Sequence, residues 1–237
     1  MMISIFSHKK TNLTNAKFPA MRNSNALVLL LFIFFSLTKS SFADSTDWVL
    51  QKNENGITVY TRIAEGTHLK EVRVVNVVES SLSALVALLL DAKNYPNWIY
   101  ACSEASVLKD INKQEQYQYQ VTDVPWPVSD RDVASHFKIE QDSTTNIVSV
   151  TNTGQPEYIP SKEDRVRVPH FQSNYKFTPL GNGKVKVEFE LYVDPGGSVP
   201  DWLINANIVT APYKTTLALI KQLPKYQAAS FDFIREK

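Results

Sequence analysis

Charged side chains that could act together in catalysis lie in the stretch TDVPWPVSDRD, Thr122 to Asp132, where two carboxylates flank an arginine. Acid–base catalysis by paired carboxylates needs one of them to keep its proton near neutral pH. The positive charge of Arg131 favours the ionised form of both Asp130 and Asp132, which works against that role. The spacing therefore favours a structural or binding function over a catalytic one.

The same stretch contains a tryptophan between two prolines. Each proline fixes its own φ and pushes the residue before it into an extended conformation. Pro125 and Pro127 thereby predict extended backbone at Val124 and Trp126. We expect a stiff loop that presents the Trp126 side chain.

Other residue types that carry enzymatic chemistry lack the patterns that such chemistry needs. His68, His136 and His170 each lack a second His or Cys at the short spacing of a zinc site. Cys102 has no flanking motif of a thiol nucleophile, so we expect a buried structural cysteine. The sequence has no Gly-x-Ser-x-Gly motif, phosphate-binding glycine loop or dinucleotide fingerprint. It predicts no catalytic residue, no metal site and no cofactor.

The N-terminal residues differ in composition from the rest of the chain. Residues 1–43 carry five basic side chains and no acid, and they include the apolar run Ala26 to Leu37. That run is shorter than the roughly 20 helical residues that span a bilayer, and it suits a signal peptide. Small residues at positions 41 and 43 predict cleavage after Ala43, and hence an exported protein, periplasmic or secreted. An uncleaved anchor and a start at Met21 rather than Met1 stay open.

Loss of residues 1–43 changes the net charge from +1 to about −4, with 20 basic against 24 acidic side chains. A mildly acidic chain without a basic run argues against a nucleic-acid partner, because phosphate binding needs clustered Lys and Arg. The single cysteine excludes an internal disulfide, so the fold depends on its hydrophobic core. Residues 44–237 can supply that core as one domain, which we expect to be a monomer.

Seven segments alternate apolar and polar residues with period two, which is typical of strands with one buried face. Hairpin-length links between them predict an antiparallel sheet. The predicted strands are 57–62, 68–78, 114–122, 132–140, 147–153, 169–178 and 184–193. In segment 114–122 the aromatic residues Tyr117 and Tyr119 share one face and the glutamines share the other, and we expect the aromatic face to point inward.

Two segments have helical patterns. Ser80 to Asp91 opens on a capping serine and is apolar almost all round, so the sheet should bury it. Val199 to Gln222 has one apolar face, and we expect Pro212 to kink this helix and Pro224 to end it. A long amphipathic helix after the last strand of a twisted sheet buries its apolar face against that sheet. These elements predict an α+β fold.

The inward positions of this predicted fold are rich in tyrosine. Tyr117, Tyr119, Tyr175 and Tyr213 combine an aromatic body with a polar hydroxyl group. Together with a helix interrupted by proline, they suit a ligand cavity covered by a lid. A dry core in which each hydroxyl group has a hydrogen-bond partner fits the same pattern, and the pattern does not decide between the two.

Three motifs, in this order and spacing, resemble those of the START domains, lipid-transfer domains related to steroidogenic acute regulatory protein. They are DAKNYPNW at 91–98, WPVSDRD at 126–132 and DPGGSVPDWLIN at 194–205. The resemblance covers nearly all of residues 44–237 and indicates an exported member of bacterial type. It implies the helix-grip fold, in which a curved antiparallel sheet wraps around a long C-terminal helix. It also implies a hydrophobic tunnel for one lipid, gated by that helix.

The resemblance implies roles for individual residues. Arg131 matches the arginine of the family's Arg-Asp motif, and we expect a structural ion pair with a nearby carboxylate at the start of its strand. Trp202, Asn205, Val209 and Tyr213 match the gating helix. The other residues predicted to line the tunnel or its mouth are Tyr117, Tyr119, Trp126, Phe137, Tyr175, Phe189, Leu191 and Leu217.

The expected function is to bind one hydrophobic lipid, such as a phospholipid or a sterol, and to transfer it during transient membrane contact. Some sterol-binding members place an acid and an arginine inside the tunnel. Segments 114–122 and 132–140 do not repeat that pair, so the ligand class stays open. Two other functions fit the fold. A cyclase-like enzyme would need a polar cluster in the cavity, and a dry interaction module would have no cavity of lipid size.

Overall fold

One curved sheet of ten strands forms the framework of the molecule. The computed structural model describes residues 47–199 and 201–236, apart from the side chains of residues 201, 202 and 205. The strands are β1 (Val49–Glu54), β2 (Ile57–Ile63), β3 (Lys70–Glu79), β4 (Cys102–Asn112), β5 (Glu115–Thr122), β6 (Asp130–Gln141), β7 (Val148–Gly154), β8 (Arg165–Arg167), β9 (His170–Gly181) and β10 (Lys184–Asp194). The predicted signal peptide, residues 1–43, lies outside the described residues.

The sheet order is β1-β2-β3-β10-β9-β7-β6-β5-β4, and short β8 pairs with β6. Neighbours along this order are antiparallel, whereas β8 runs parallel to β6. The seven predicted strands are all present, but β1, β4 and β8 were missed. Strands β1 and β4 are the edges of the sheet and keep many residues exposed or half-buried on both faces, so they need no clean alternation. Strand β8 has only three residues.

Helix α1 (Leu82–Leu90) lies buried against the sheet, as predicted. The Ser81 hydroxyl caps it by accepting a hydrogen bond from the Ala84 amide at 3.0 Å. The Glu236 carboxylate, near the other end of the chain, accepts from the amides of Leu82 at 2.9 Å and Ser83 at 2.8 Å. These contacts satisfy the first-turn donors that a helix leaves without intrahelical partners. A 3-10 helix, Ala92–Asn97, follows.

The predicted helix at 199–222 is two helices, α2 (Asp201–Asn207) and α3 (Thr210–Gln222). Ile208 and Val209 between them are not helical. Pro212 explains the position of this break, because its ring clashes with the carbonyl four residues earlier and it has no N–H to donate there. The interruption therefore falls one turn before Pro212 rather than at the proline itself.

Two clusters of buried side chains hold α1 and α3 on the sheet. The first lies under α1 and the C-terminal half of α3 and includes Leu85, Leu88, Ile139, Phe177 and Leu219. The second lies under the N-terminal half of α3 and includes Ile57, Val59, Val74, Phe189 and Tyr213. The predicted α+β helix-grip fold is thus confirmed, with an interrupted C-terminal helix.

None of the helices in the described part of the chain is long and apolar enough to cross a membrane.

Candidate ligand-binding cavity

A cavity of about 670 Å³ lies between the inner face of the sheet and the helices. Side chains from β3, β5, β6, β7, β9 and β10 form one side, and residues from α2, the start of α3 and the segment after α1 form the other. Its volume falls within the roughly 300–1,000 Å³ that is usual for small-molecule sites. A fully packed dry core, which the sequence had left open, does not describe this molecule.

The walls of the cavity are mostly apolar. The sheet contributes Phe137, Val150, Tyr175, Phe189 and Leu191. The two C-terminal helices contribute Leu203, Ile204 and Ala211, and the link between them contributes Ile208. The Tyr175 ring stacks on Phe189 with 4.4 Å between centroids. Burial raises the pKa of the Tyr175 phenol well above its usual value, so this hydroxyl group stays protonated. Such walls suit an apolar ligand body.

Exposed members of the lining mark the opening of the cavity. Tyr100, Ala101, Asp123 and Pro125 all border the cavity and also reach the molecular surface. The Tyr100 amide donates to the Thr215 hydroxyl at 3.0 Å, which ties one side of this mouth to α3. Residues 123–125 of the proline-containing loop form the other side, so that loop borders the mouth as the sequence indicated.

The face of β5 that points to the cavity is the glutamine face and not the predicted aromatic face. Gln120 and Thr122 line the cavity, and Gln118, on the same face, is only 2% exposed. The Tyr117 ring lies on the other face and stacks on Tyr158 with 3.8 Å between centroids. Tyr119 is also on that face. The structure therefore corrects the placement of Tyr117 and Tyr119 in the cavity wall.

The end of α1 explains why glutamines point inward. The last carbonyl groups of a helix have no intrahelical donor. Gln118 Nε2 donates to the Leu89 carbonyl at 3.4 Å, Gln116 Nε2 donates to the Leu90 carbonyl at 3.3 Å, and the Tyr95 hydroxyl donates to Leu89 at 2.6 Å. An apolar face on β5 would leave these buried carbonyls with fewer donors, which is unfavourable.

The charged triplet at the start of β6 separates onto two faces of the strand. Asp130 and Asp132 lie on the outer face, and Arg131 lies on the cavity face together with Val133 and Phe137. The Asp130 carboxylate accepts a hydrogen bond from the Val124 amide at 2.9 Å and so holds the proline-containing loop. The three residues therefore have three different partners.

Asp132, rather than Arg131, belongs to a bidentate ion pair. Arg167 Nε and Nη2 donate to the two Asp132 carboxylate oxygens at 2.9 and 3.0 Å, and the Tyr119 hydroxyl donates to Oδ2 at 2.9 Å. Burial acts to raise the pKa of the Asp132 carboxyl, but these hydrogen bonds outweigh it and hold the pKa below its usual range. The pair fixes the segment before β9 to β6, where Val168 borders the cavity.

Arg131 does not form the predicted ion pair with any side chain that the structure describes. Its guanidinium donates to the Ser129 carbonyl and, at 3.4 Å, to the Gly196 carbonyl. Gly196 has a φ of 63°, and a Cβ there would lie 2.9 Å from Pro169 Cδ, so glycine is needed for this close approach. Arg131 thus connects the start of β6 to the loop that precedes α2.

The remaining predicted residues are placed as follows. Phe137, Tyr175, Phe189 and Leu191 line the cavity. Trp126 lies beside the mouth with 92% of its surface exposed and is not part of the cavity wall. Val209, Tyr213 and Leu217 pack in the second core cluster, where the Tyr213 hydroxyl accepts from Asn55 Nδ2 at 2.7 Å. The side chains of Trp202 and Asn205 lie outside the described ones.

Sequence reasoning missed several polar wall residues. Asn152 and Ser173 face each other across β7 and β9 and both line the cavity, as do Gln120 and Thr122. A signal for Asn152 was present in the sequence. Asn152 lies two residues after Val150 on the same strand and therefore shares the face of Val150. For Gln120 and Thr122 the alternation was clear, but the face that points inward was not.

The surroundings of His136 and Cys102 bear on the chemistry that these two groups could carry. Among the described residues, no group of three or more His, Cys, Asp and Glu side chains could hold a metal ion. His136 lies 2.7 Å from the Glu115 carboxylate on the outer face of the sheet. Burial raises the pKa of the Cys102 thiol to about 12, which makes it a poor nucleophile near neutral pH.

A curved antiparallel sheet that closes over an apolar cavity with a C-terminal helix defines a ligand-binding protein of the helix-grip class. The family model of the START domain matches residues 37–212 of the sequence. The chain belongs to the START domain family, as its three motifs indicated.

Relatives with similar sequences are bacterial and mammalian. An uncharacterized protein from Pseudomonas aeruginosa is 32% identical over 199 residues, which make up 84% of this chain and 96% of that protein. The phosphatidylcholine transfer protein of Rattus norvegicus is 27% identical over 165 residues, 67% of this chain and 75% of that protein. The bacterial relative supports the prediction of a bacterial type of START domain.

Solved structures of the family superpose on this fold. A STAR-related lipid transfer protein fragment from Xanthomonas axonopodis is 33% identical, with a TM-score of 0.69 over 75% of this chain and 98% of that one. Human StAR-related lipid transfer protein 5 has a TM-score of 0.66 over 85% of this chain and 94% of that one, at 15% identity. At that identity the human structure supports the fold alone.

Proposed function

We propose that the protein binds a single lipid in its cavity and transfers it between membranes. The observation that carries this proposal is an apolar cavity of about 670 Å³ in a chain of the START family. Burial of acyl or ring surface supplies the driving force, at about 25 cal/mol per Å² of apolar area removed from water. The names of the lipid transfer proteins that resemble this chain support the same function.

Helix α2 is the proposed gate of the cavity. Leu203, Ile204 and Asn207 of this short helix border the cavity, so its displacement would open a path to the ligand. Ile208 and Val209 lie outside helical structure and can absorb the backbone rotation that a hinged movement needs. Helix α3, which packs in both core clusters, would stay in place during this movement.

The mouth of the cavity is the proposed site of transient membrane contact. Trp126 is 92% exposed on a loop whose neighbour Pro125 borders the mouth. Tryptophan side chains favour the interface between lipid head groups and acyl chains. The Lys214 ammonium group lies 4.8 Å from the centre of the Tyr100 ring at the same mouth and could meet lipid phosphates. Contact there would let a lipid enter without crossing bulk water.

Export remains part of the proposal. The composition of residues 1–43 supports a signal peptide cleaved after Ala43, and the mature protein would then work in the periplasm or outside the cell. A carrier is useful there because an exported lipid has to cross an aqueous space between membranes.

The first experiment is native mass spectrometry of the protein, expressed with its own signal and purified from the exported fraction without detergent. Organic extraction would then identify any bound lipid. One lipid per protein is the expected result. A protein without ligand that also takes up no fluorescent lipid from vesicles would refute the proposal.

A matched pair of variants locates the binding site. Ser173 is buried in the cavity wall, so Ser173→Phe should fill part of the cavity and reduce lipid uptake at least tenfold. Ser149 is exposed on β7, so Ser149→Phe makes the same chemical change outside the cavity and should leave uptake unchanged. Equal uptake by the two variants would exclude this cavity as the site.

A further inference from the structure

Arg131 is the buried charged group among the side chains that the structure places around the cavity. Only 7% of its surface is exposed, and it borders the same space as Val133, Phe137 and Val150. Its Nε atom is buried and has no hydrogen-bond partner among the described residues. A buried, unpaired donor on a charged group is unfavourable unless something in the cavity accepts its hydrogen bond.

Resting on the proposed lipid-binding function, we infer that the cavity takes an anionic lipid, whose carboxylate or phosphate oxyanion binds the guanidinium of Arg131. This assignment names the head-group chemistry of the ligand and gives Arg131 a direct role in binding. The resemblance to the family did not imply this ligand-binding role. It implied that Arg131 forms a structural ion pair with a carboxylate of the protein.

Neighbouring carboxylates are already engaged elsewhere. Asp130 lies on the opposite face of β6 and accepts from the Val124 amide at 2.9 Å. Asp132 is paired with Arg167 at 2.9 Å. No carboxylate oxygen among the described side chains lies within 4.0 Å of the Arg131 guanidinium. Among the described side chains, Arg131 therefore has no carboxylate in direct contact, and Asp130 acts on its charge only from a longer distance.

The guanidinium is held in position while keeping donors for a ligand. Of its five N–H donors, one on Nη1 binds the Ser129 carbonyl and one on Nη2 binds the Gly196 carbonyl at 3.4 Å. Nε stays unpaired. The planar array of N–H groups in arginine matches two oxygens of a carboxylate or phosphate. Backbone contacts of this kind orient the side chain without neutralising it.

The position of Arg131 also predicts how the ligand lies. Arg131 pairs in register with Thr122, which directly precedes Asp123 at the mouth. Phe137 is six residues further along β6, about 20 Å deeper at 3.3 Å per residue. The oxyanion would therefore lie near the mouth and the apolar body would extend towards Phe137. Asp123 also borders the mouth but is exposed, so water screens its repulsion.

The test compares lipids that share a hydrocarbon chain and differ in the charge of the head group. Oleate and oleyl alcohol form one pair, and a lysophosphatidate and the monoacylglycerol with the same chain form the other. Affinities are measured by titration into the purified full chain. The wild type should bind the anionic member of at least one pair about ten- to a hundredfold more tightly, the range of a hydrogen bond to a charged group. The pair that shows this preference identifies whether the bound head group is a carboxylate or a phosphate.

Variants assign the preference to Arg131. Arg131→Met should remove it while leaving the affinity for the neutral lipid within about threefold, and Arg131→Lys should restore part of it. Arg62→Met is the matched control, because Arg62 pairs with Glu71 on the opposite face of its strand from the buried core. It removes the same charge away from the cavity and should keep the preference.

Each other result would overturn the inference. A wild-type protein that binds neutral and anionic lipids equally would contradict it while leaving lipid binding intact, and that result does not depend on any variant folding. Loss of both affinities together in Arg131→Met would make Arg131 a structural residue only. Failure of the wild type to bind any lipid would refute the proposed function as well.

Discussion

Substitution of Asp132 by asparagine should destabilise the protein strongly, because it leaves a buried arginine without its counter-ion. The Asp132 and Arg167 side chains are only 1% and 8% exposed. Removing one partner of a buried ion pair costs about 3–5 kcal/mol. Asparagine keeps the shape and one acceptor oxygen, so we expect a loss near 3 kcal/mol. That is a large fraction of the 5–15 kcal/mol by which domains are usually stable.

Urea unfolding followed by circular dichroism measures this loss. Arg167→Met alone should also destabilise the protein, since it leaves the buried Asp132 carboxylate without its ion-pair partner. The double variant Asp132→Leu/Arg167→Met should recover much of the stability, because no buried charge is left unpaired. A loss below about 1 kcal/mol in Asp132→Asn, or additive losses in the double variant, would refute this account of the pair.

The pH dependence gives an independent check on the same pair. The folded protein holds the pKa of Asp132 below its usual value, whereas the unfolded chain has a pKa of about 3.9. Its contribution to stability is therefore fully present above the unfolded pKa and is lost as the pH falls through the folded pKa. The stability difference between wild type and Asp132→Asn should be constant from pH 5 to 7 and should shrink in acid. A difference that grows in acid would contradict the assignment.

Three further predictions concern other parts of the chain. Both amide atoms of Asn76 are buried without a partner among the described residues, so Asn76→Val should raise the unfolding free energy by about 1–3 kcal/mol in urea; a decrease would mean that the amide is satisfied. Cys102, with a pKa raised to about 12, should react with a maleimide at pH 8 only after unfolding; rapid labelling of the native protein would contradict its burial. Trp126→Ser should weaken binding to vesicles several-fold without changing the melting temperature, and unchanged vesicle binding would exclude this loop from the membrane contact.

Much of the fold could be predicted because its signals are local. Alternation with period two located seven strands, and the apolar segment after Ser81 located α1. The edge strands β1 and β4 could not be found in this way, since neither face of an edge strand has to be uniformly apolar. The break between α2 and α3 was expected at Pro212 and occurs one turn earlier, where the proline removes a hydrogen bond.

The candidate site was predicted in part. Phe137, Tyr175, Phe189 and Leu191 line the cavity because each lies on the more apolar face of its strand, and that face is the inner one. Trp126 and the helix residues Val209, Tyr213 and Leu217 were assigned by resemblance, and none of them forms the cavity wall. Family position identified the neighbourhood of the site but not the direction of each side chain.

Strand β5 separates what the sequence determined from what the tertiary structure decided. The sequence alone determined that its tyrosines and glutamines lie on opposite faces, because side chains alternate along any strand. It did not determine which face is inner, since Gln118 and Tyr119 are both buried, on opposite sides of the sheet. The carbonyl groups at the end of α1 determine which face of β5 points inward, because they need hydrogen-bond donors and the glutamines supply them.

The same distinction applies to the charged triplet of β6. Alternation determined that Arg131 would lie opposite Asp130 and Asp132. Only the folded chain brings Arg167, 35 residues away, to Asp132 and leaves Arg131 facing the cavity. Ion pairs between distant residues depend on how the strands are ordered in space, and no local pattern in the sequence encodes that order. For this reason the sequence identified the protein as a START domain, while the structure was needed to find the charged group inside its cavity.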